Sequence, residues 1–342
     1  MTQIQTAVGI GATFQRMIDE GEVAVIEREV DSVHEVAGIF IKLDQLRYTP
    51  AVLFQNVKGY TMPVGGTLFS ERSRVKRLLG MPEEDIAFKR AFLAAMEKQV
   101  DPVVVSDGPC QEVVHTEGFD ALSFVPSIQA SLDDGGKYFQ AAVVSKDPET
   151  GARNMGVYRN MILDDNRTVI NIRPEAHIGM HFRKAKERNA PFPVALIFGM
   201  DAEIYLSAVT KLPFGREEFA LAGILKGEPV ELVKCKTVDL EVPASANIVI
   251  EGVVEPPYDE EWEGPWPEFL KYLSIPQRKP IFRITGVTHC AQPMSYNIVP
   301  GTKENYNIRI SNDVAFYQYV KSIEPTFVVD AALTRGSAHW HH

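Results

Sequence analysis

The stretch from residue 138 to residue 172 contains three strand-like segments separated by two short turns. The segments cover 138–145, 154–163 and 167–172. The turns read Asp147-Pro148-Glu149-Thr150-Gly151 and Asp164-Asp165-Asn166, and both consist of residues that favour a reversal of chain direction. Because turns this short join antiparallel neighbours, the stretch predicts a β-meander or the wall of a β-barrel.

The chain before this stretch alternates between helical and strand patterns. Apolar residues recur at helical spacing within 10–20, 33–40 and 84–99, and apolar runs at 23–30, 51–57 and 103–105 are typical of strands. This alternation predicts a small α/β unit. Later strands are predicted at 194–198, 230–235, 248–252 and 281–289, and later helices at 179–188, 200–210, 217–226 and 312–325. The predicted fold class is therefore α/β (α+β) and multidomain.

Charge and cysteine usage limit the partners and the compartment. The formal net charge of -10 repels phosphate backbones, which argues against a nucleic-acid partner. The three cysteines Cys110, Cys235 and Cys290 are far apart and form no CxxC pair, so we expect neither a zinc site nor a disulfide framework. We therefore predict a cytoplasmic protein.

The chain termini and the hydropathy pattern lead to expectations about a secretory signal, a membrane span and an expression tag. Residues 1–7 lack the apolar core of a secretory signal. No stretch of about 18 apolar residues is present, so we expect no membrane span. Residues 336–342 are interpreted as part of an expression tag.

The segment from Asn154 to Arg159 carries two side chains suited to binding. An asparagine offers an amide oxygen to a metal, and an arginine offers a planar fork to a carboxylate or phosphate. Residues five apart on a regular strand point to opposite faces, so we expect a β-bulge at Gly156 to bring both toward one cavity. Taken alone, the segment is a weak signal, and an ordinary strand with one exposed arginine explains it better.

Four further polar residues are each of a kind that is common in proteins. His177 is a lone histidine, and Glu218 stands in the first turn of a predicted helix, where acids suit the helix dipole. Glu263 and Glu268 flank the stiff spacer Gly264-Pro265-Trp266-Pro267 within a proline-rich loop, 256–267. Two carboxylates near one arginine form a possible acid/base device, because mutual repulsion and burial raise the pKa of one of them.

Read together, these polar residues resemble the UbiD-type decarboxylases in order and spacing. The residues are Asn154, Arg159, His177, Glu218, Glu263 and Glu268. Their context is similar too, in the turn 147–151, in the segments 225–235, 242–244 and 248–252, and in Thr288-His289, where Cys290 replaces the family's arginine. The resemblance covers roughly residues 20–300.

The resemblance implies a bound cofactor and metal. In the family, residues matching Asn154, His177 and Glu218 hold a divalent metal, Mn²⁺ or Mg²⁺, which bridges to the phosphate of prenylated FMN. Oxygen-rich ligands and phosphate suit these hard cations. Met155, Val157, Tyr158 and Arg159 are expected to join these three residues in cofactor binding. A K⁺ ion held by backbone oxygens is a further expectation.

The resemblance also implies catalytic roles. Arg159 is expected to orient the substrate carboxylate, Glu263 to hold Arg159, and Glu268 to donate the proton that replaces CO2. The expected reaction is the reversible non-oxidative decarboxylation of an aromatic or α,β-unsaturated acid. The expected partners are this small-molecule acid and further copies of the chain, with a partner subunit as an alternative.

The sequence departs from the family in two respects. Trp266-Pro267 stands where the family usually has an aromatic residue and glycine, and the family usually continues into a C-terminal α/β domain. The predicted domains are an N-terminal α/β region (1–115), a split-barrel prenylated-FMN domain (116–300), and a connecting helix or truncated C-terminal domain (301–335). Two alternatives stay open: a split-barrel FMN oxidoreductase, and a non-catalytic or partner-dependent subunit of a carboxylase complex.

Overall fold

The computed structural model describes residues 8–333. The interpreted tag at 336–342 and the segment 1–7 lie outside the described residues. The first elements are α1 (Gly9–Asp19), β1 (Val23–Ile26), α2 (Glu35–Asp44), β2 (Ala51–Phe54), β3 (Val64–Gly66), α3 (Arg72–Leu78) and α4 (Asp85–Met96). Glu84 caps α4, because its carboxylate accepts the backbone N–H groups of Ile86 and Ala87 at 3.0 and 2.7 Å.

The middle of the chain supplies most of the strands. Its elements are β4 (Val103–Val105), β5 (Val113–His115), α5 (Ala121–Phe124), β6 (Tyr138–Lys146), β7 (Arg153–Asp164), β8 (Arg167–Ile170), α6 (His177–Glu187), β9 (Phe192–Phe198), α7 (Ala202–Ala208) and α8 (Glu218–Lys226). The last elements are β10 (Glu231–Lys234), β11 (Glu241–Pro243), β12 (Ile248–Val254), β13 (Glu260–Glu263), β14 (Gln277–His289), β15 (Ser295–Tyr296), α9 (Lys303–Asn307) and α10 (Ile310–Ile323).

Six strands close into a barrel. They follow the order β12-β9-β6-β7-β8-β14, and β14 pairs with β12 to complete the ring. The predicted meander is confirmed as β6, β7 and β8, which pair antiparallel through the two predicted turns. A second sheet has the order β1-β2-β3-β15, and a third has the order β11-β10-β4. The α/β fold with a central barrel and a helical tail, as predicted, is confirmed.

The barrel wall separates two apolar cores. The inner core contains alternate residues of the barrel strands, such as Ala141, Leu196 and Ile250, and the α6 residues Ile178 and Phe182 lie against it. The outer core packs Ala142, Met155 and Ile197 against α1, α4, α7 and α8. Successive residues of β7 therefore face different surroundings, as the period of two along a strand requires.

Two local predictions are wrong. The segment 256–267 is not loop throughout, because Glu260–Glu263 pairs with Gln277–Pro280 as β13. No bulge occurs at Gly156, because β6 and β7 keep one continuous register from Lys146↔Arg153 to Tyr138↔Met161. Within residues 8–333, none of the helices is both long enough and apolar enough to cross a membrane.

Candidate active site

Arg159 is the centre of an ion-pair network on the outer face of the barrel wall. Its Nε lies 2.7 Å from Oε1 of Glu263, and its Nη2 lies 3.0 Å from Oε2 of the same carboxylate. Its Nη1 lies 2.7 Å from Oε1 of Glu268. Burial alone lowers the pKa of Arg159, but the two carboxylates outweigh this effect and raise its pKa. The guanidinium is therefore a fixed positive charge.

The two carboxylates differ in how firmly they are held. Glu263 ends β13 with a side chain that is 1% exposed, and its Oε2 also accepts the Asn171 amide N–H at 3.3 Å. The Glu268 side chain is 25% exposed and contacts Arg159 through one nitrogen only. Glu268 stands in a tight turn, since its backbone N–H donates to the carbonyl of Tyr272 at 2.7 Å. Glu263 is thus held in one position, whereas Glu268 is accessible to solvent.

The spacer between the two acids packs against the barrel wall. The rings of Trp266 and Tyr138 meet edge to face with centroids 4.3 Å apart, and the Arg159 guanidinium carbon lies 5.8 Å from the Trp266 ring centre. Ser274 joins the two groups, because its Oγ lies 3.0 Å from the Trp266 backbone nitrogen and 3.3 Å from Arg159 Nη2. Trp266 therefore supports the position of Arg159.

One edge of β7 is open beside the predicted metal ligands. β8 pairs with β7 only from Asn160 onward, so within residues 8–333 no strand covers the preceding part of this edge. Glu218, the first residue of α8, reaches this edge and accepts the backbone N–H of Met155 at 2.8 Å. The side chain of Glu218 is buried, and burial raises its pKa to about 8.

The Tyr158 side chain links this edge to α6. A Cβ on Gly156 would lie 2.7 Å from the Tyr158 ring, so glycine leaves the space in which the ring folds back along the strand. Burial raises the pKa of Tyr158 to about 12, and the charge of Arg173, the side chain of Asn154 and the backbone of Ile178 oppose part of this rise. Asn154, Tyr158 and the first turn of α6 are therefore neighbours.

His177 is the first residue of α6. Burial lowers its pKa, which favours the neutral imidazole that binds metals. Its ring packs edge to face against Phe214, with centroids 5.2 Å apart. The helices that begin at His177 and Glu218, α6 and α8, both contact β7, which carries Asn154.

Asn154, His177 and Glu218 are the side chains that would hold a divalent cation here. Among residues 8–333, no group of three or more His, Cys, Asp or Glu side chains could hold a metal ion, so a site here needs the amide of Asn154 as well. Glu218 is a buried carboxylate, and within residues 8–333 no cationic side chain pairs with it. An amide oxygen, an imidazole and a carboxylate fit Mn²⁺ or Mg²⁺.

The predicted site residues thus form two groups on β7. Arg159, Glu263 and Glu268 meet on the outer face, whereas Asn154, Glu218 and Tyr158 gather at the open edge and the inner face. His177 lies at the start of α6, next to Ile178, whose backbone reaches Tyr158. Met155 is buried in the outer core, and the partly buried Val157 packs against the same core. Asn171, Ser274 and Phe214 were not predicted, because each is a common residue in a segment without a motif.

Two models of known protein families match this chain. The model of the UbiD family, described as the 3-octaprenyl-4-hydroxybenzoate carboxy-lyase Rift-related domain, matches residues 102–303. The model of the corresponding N-terminal domain, UbiD_N, matches residues 15–92. The chain belongs to the UbiD family. The family consists of carboxy-lyases, which confirms the predicted resemblance and enzyme class.

Individual relatives agree with the family assignment. A phenolic acid decarboxylase of Bacillus subtilis is 30% identical over 332 residues, which are 93% of this chain and 70% of that protein. An uncharacterised protein of Archaeoglobus fulgidus is 31% identical, and the chain spans 62% of its length.

Solved structures show the same fold. HmfF of Pelotomaculum thermopropionicum, in an evolved dimeric form bound to prenylated FMN, matches with a TM-score of 0.91 and 31% identity. The match covers 96% of this UbiD chain and 76% of that one. Vanillic acid decarboxylase of Sedimentibacter hydroxybenzoicus in closed form matches with a TM-score of 0.87 and 26% identity, over 94% of this chain and 71% of that chain.

Proposed function

We propose that this chain is a prenylated-FMN-dependent decarboxylase of an aromatic or α,β-unsaturated carboxylic acid, and that the reaction is reversible. The observation that carries the proposal is Arg159 held between Glu263 and Glu268 at 2.7 Å from each. A partly buried guanidinium, with one acid held in place and one acid reachable from solvent, provides both a carboxylate clamp and a proton source. Membership of a carboxy-lyase family supports this reading.

Arg159 is proposed to orient the substrate carboxylate. Its four hydrogen bonds to Glu263, Glu268 and Ser274 use four of its five N–H groups within residues 8–333. The remaining N–H is on Nη1, the nitrogen that also contacts Glu268. A substrate carboxylate bound there would lie beside the proposed acid.

Glu268 is proposed as the proton donor and Glu263 as the residue that holds Arg159. Loss of CO2 leaves an electron pair on carbon, and the carboxyl group of Glu268 supplies the proton that forms the new C–H bond. Because Glu268 is 25% exposed, solvent can return that proton before the next turnover. Glu263 keeps both oxygens on Arg159 and remains in place throughout.

Asn154, His177 and Glu218 are proposed to hold Mn²⁺ or Mg²⁺, which would pair with the cofactor phosphate. Met155, Val157, Tyr158 and Arg159 would lie along the cofactor, and K⁺ would bind to backbone oxygens nearby. When bound, prenylated FMN supplies an electron sink for the pair left behind by CO2. The solved HmfF structures, with prenylated FMN or FMN, support this cofactor class.

The substrate and assembly are proposed from the relatives. The B. subtilis relative is named a phenolic acid decarboxylase, which supports an aromatic acid as substrate. The dimeric form of HmfF supports a homo-oligomer, and a partner subunit is the alternative. The division into domains at 1–115, 116–300 and 301–335 remains part of this proposal.

The test is co-expression with an FMN prenyltransferase, anaerobic purification, and mass spectrometry and metal analysis of the released cofactor. The proposal predicts prenylated FMN with near-stoichiometric manganese. Uptake of plain FMN only, with NADH oxidation, would favour the oxidoreductase. Activity that appears only after a partner chain is added would favour the partner-dependent subunit.

A further inference from the structure

Phe214 is an aromatic side chain held at the tip of a turn. The turn spans residues 213–216, and its backbone hydrogen bond runs from Arg216 N–H to the carbonyl of Pro213 at 3.0 Å. Gly215 has φ +85°, the value required at the third position of a type II turn. Phe214 is therefore at the second position, and its side chain is 47% exposed.

The exposed ring packs on one face of α6. Its centroid lies 5.2 Å from that of His177 and 5.8 Å from that of His181, and both contacts are edge to face. Lys184 Nζ lies 5.7 Å from the ring centre. These three residues follow the i, i+4, i+7 spacing of one helix face, so a single side chain covers that face over two turns.

The far end of this face is already fixed by other contacts. His181 Nδ1 lies 3.1 Å from Ser145 Oγ, and Lys184 Nζ lies 2.7 Å from a carboxylate oxygen of Asp147. The start of α6 has less support, because its N-cap Ala176 provides no side-chain hydrogen bond. Within residues 8–333 the His177 ring makes no hydrogen bond, and its ring contact is with Phe214.

The turn that carries Phe214 is itself anchored beside Glu218. Arg216 Nη2 donates to the Lys98 carbonyl at 3.0 Å. Glu217 forms a two-point ion pair with Arg153, which includes a 3.2 Å contact between Oε2 and Nη2. The chain then enters α8 at Glu218. One short segment therefore places Glu218 and, through Phe214, contacts His177.

We propose that Phe214 is a positioning residue of the cation site, which sets the imidazole of His177 relative to the carboxylate of Glu218. The inference rests on the proposed function, because that proposal makes these two side chains metal ligands. An aromatic edge contact fixes the ring plane of a histidine without taking either of its nitrogens. Residues that orient metal ligands typically change metal affinity by about 10- to 100-fold when they are removed.

The test measures Mn²⁺ binding to the full chain in the presence of saturating FMN, by electron paramagnetic resonance of free Mn²⁺. Phe214→Ala is expected to weaken Mn²⁺ binding by about tenfold, because His177 must then be ordered at the moment of binding. Phe214→Tyr keeps the aromatic edge and is expected to restore wild-type affinity. The control is Phe327→Ala, since Phe327 is 85% exposed and follows the C-terminal end of α10.

His177→Ala separates this inference from the function it rests on. If His177→Ala abolishes Mn²⁺ binding and Phe214→Ala matches wild type, Phe214 has no positioning role and the inference is wrong. If His177→Ala also binds Mn²⁺ normally, the proposed metal site itself is wrong. Circular dichroism of each variant checks that it is folded, and Phe214→Leu serves as a second variant that fills the volume without an aromatic edge.

Discussion

Arg159 and Glu263 form a two-point ion pair, with Nε 2.7 Å from Oε1 and Nη2 3.0 Å from Oε2. The Glu263 side chain is buried, whereas Glu268, the second partner of Arg159, is partly open to solvent. The two acids therefore differ in how much the fold depends on them. The Arg159–Glu263 pair therefore supports the fold, and Glu268 is accessible for proton transfer.

Glu263→Ala is expected to destabilise the protein more than Glu268→Ala. Removing one member of a buried pair leaves an uncompensated charge, which costs about 3–5 kcal/mol. Because Arg159 keeps Glu268, we expect about 3 kcal/mol for Glu263→Ala and about 1 kcal/mol for Glu268→Ala. Urea unfolding of both variants measures the difference. Equal losses would show that the two acids support Arg159 equally.

Mn²⁺ affinity is expected to depend on pH through Glu218. Burial raises the pKa of this carboxyl to about 8, so below that pH the metal-free protein holds a proton that Mn²⁺ must displace. Affinity should rise by up to about tenfold per pH unit toward pH 8 and then level off. Mn²⁺ titrations with FMN present at pH 6, 7 and 8 test this. A dissociation constant that is unchanged over this range would contradict it.

Glu228→Gln is the control for that titration, because Glu228 is an exposed acid just beyond the end of α8. It should keep the pH dependence. Glu218→Gln should lose both the metal and the dependence.

Glu304 is expected to make stability fall as the pH rises. This buried carboxyl accepts the backbone N–H groups of Thr67 and Phe69 at 2.9 and 3.0 Å and the hydroxyl of Tyr296. Burial raises its pKa from 4.5 to about 7, against the effect of these bonds. Between these values the folded protein binds more protons than the unfolded chain, so the free energy of unfolding decreases with pH.

The test compares wild type with Glu304→Gln by chemical unfolding at pH 4.5, 6 and 7.5. The advantage of wild type over the variant should shrink by up to about 3 kcal/mol across this range. Contributions from other groups cancel in the comparison. A constant difference would mean that Glu304 is not the group responsible.

Gly156→Ala is expected to destabilise the protein through Tyr158. The new Cβ would lie 2.7 Å from the Tyr158 ring and 2.9 Å from its hydroxyl, so the side chain would have to move. Overpacking of this kind costs about 1–3 kcal/mol. In Gly156→Ala/Tyr158→Ala the clash is removed, so the Gly156→Ala cost should largely disappear. Additive losses in thermal unfolding would rule out this coupling.

The sequence predicted the barrel wall because the three strands of the meander are joined by short turns, whose pairing is local. It did not predict β13, because Glu260-Glu261-Trp262-Glu263 lacks the alternation of a half-buried strand. That strand pairs with β14, and the partner residues are separated by a loop of irregular sequence. Pairing across such a loop leaves no local signal.

The site residues were named by resemblance, but their arrangement was not foreseen. The expected bulge at Gly156 was meant to bring Asn154 and Arg159 to one face, whereas the strand is regular there and the two side chains stay on opposite faces. Instead, the edge of β7 that β8 leaves uncovered lies between the two faces, and Glu218 reaches it. Such an edge depends on where β8 begins to pair, which follows from tertiary structure and not from residues 154–159.

The most direct test of the central claim is the rate of CO2 release by protein loaded with prenylated FMN, compared between wild type, Glu268→Gln and Glu261→Gln. Glu261 is an exposed acid on β13 and serves as the matched control. The substrates are a panel of aromatic and α,β-unsaturated acids. We predict that Glu268→Gln retains the cofactor but loses about 10² to 10⁴ in rate, while Glu261→Gln matches wild type. Wild-type rates in Glu268→Gln would contradict its role as the proton donor.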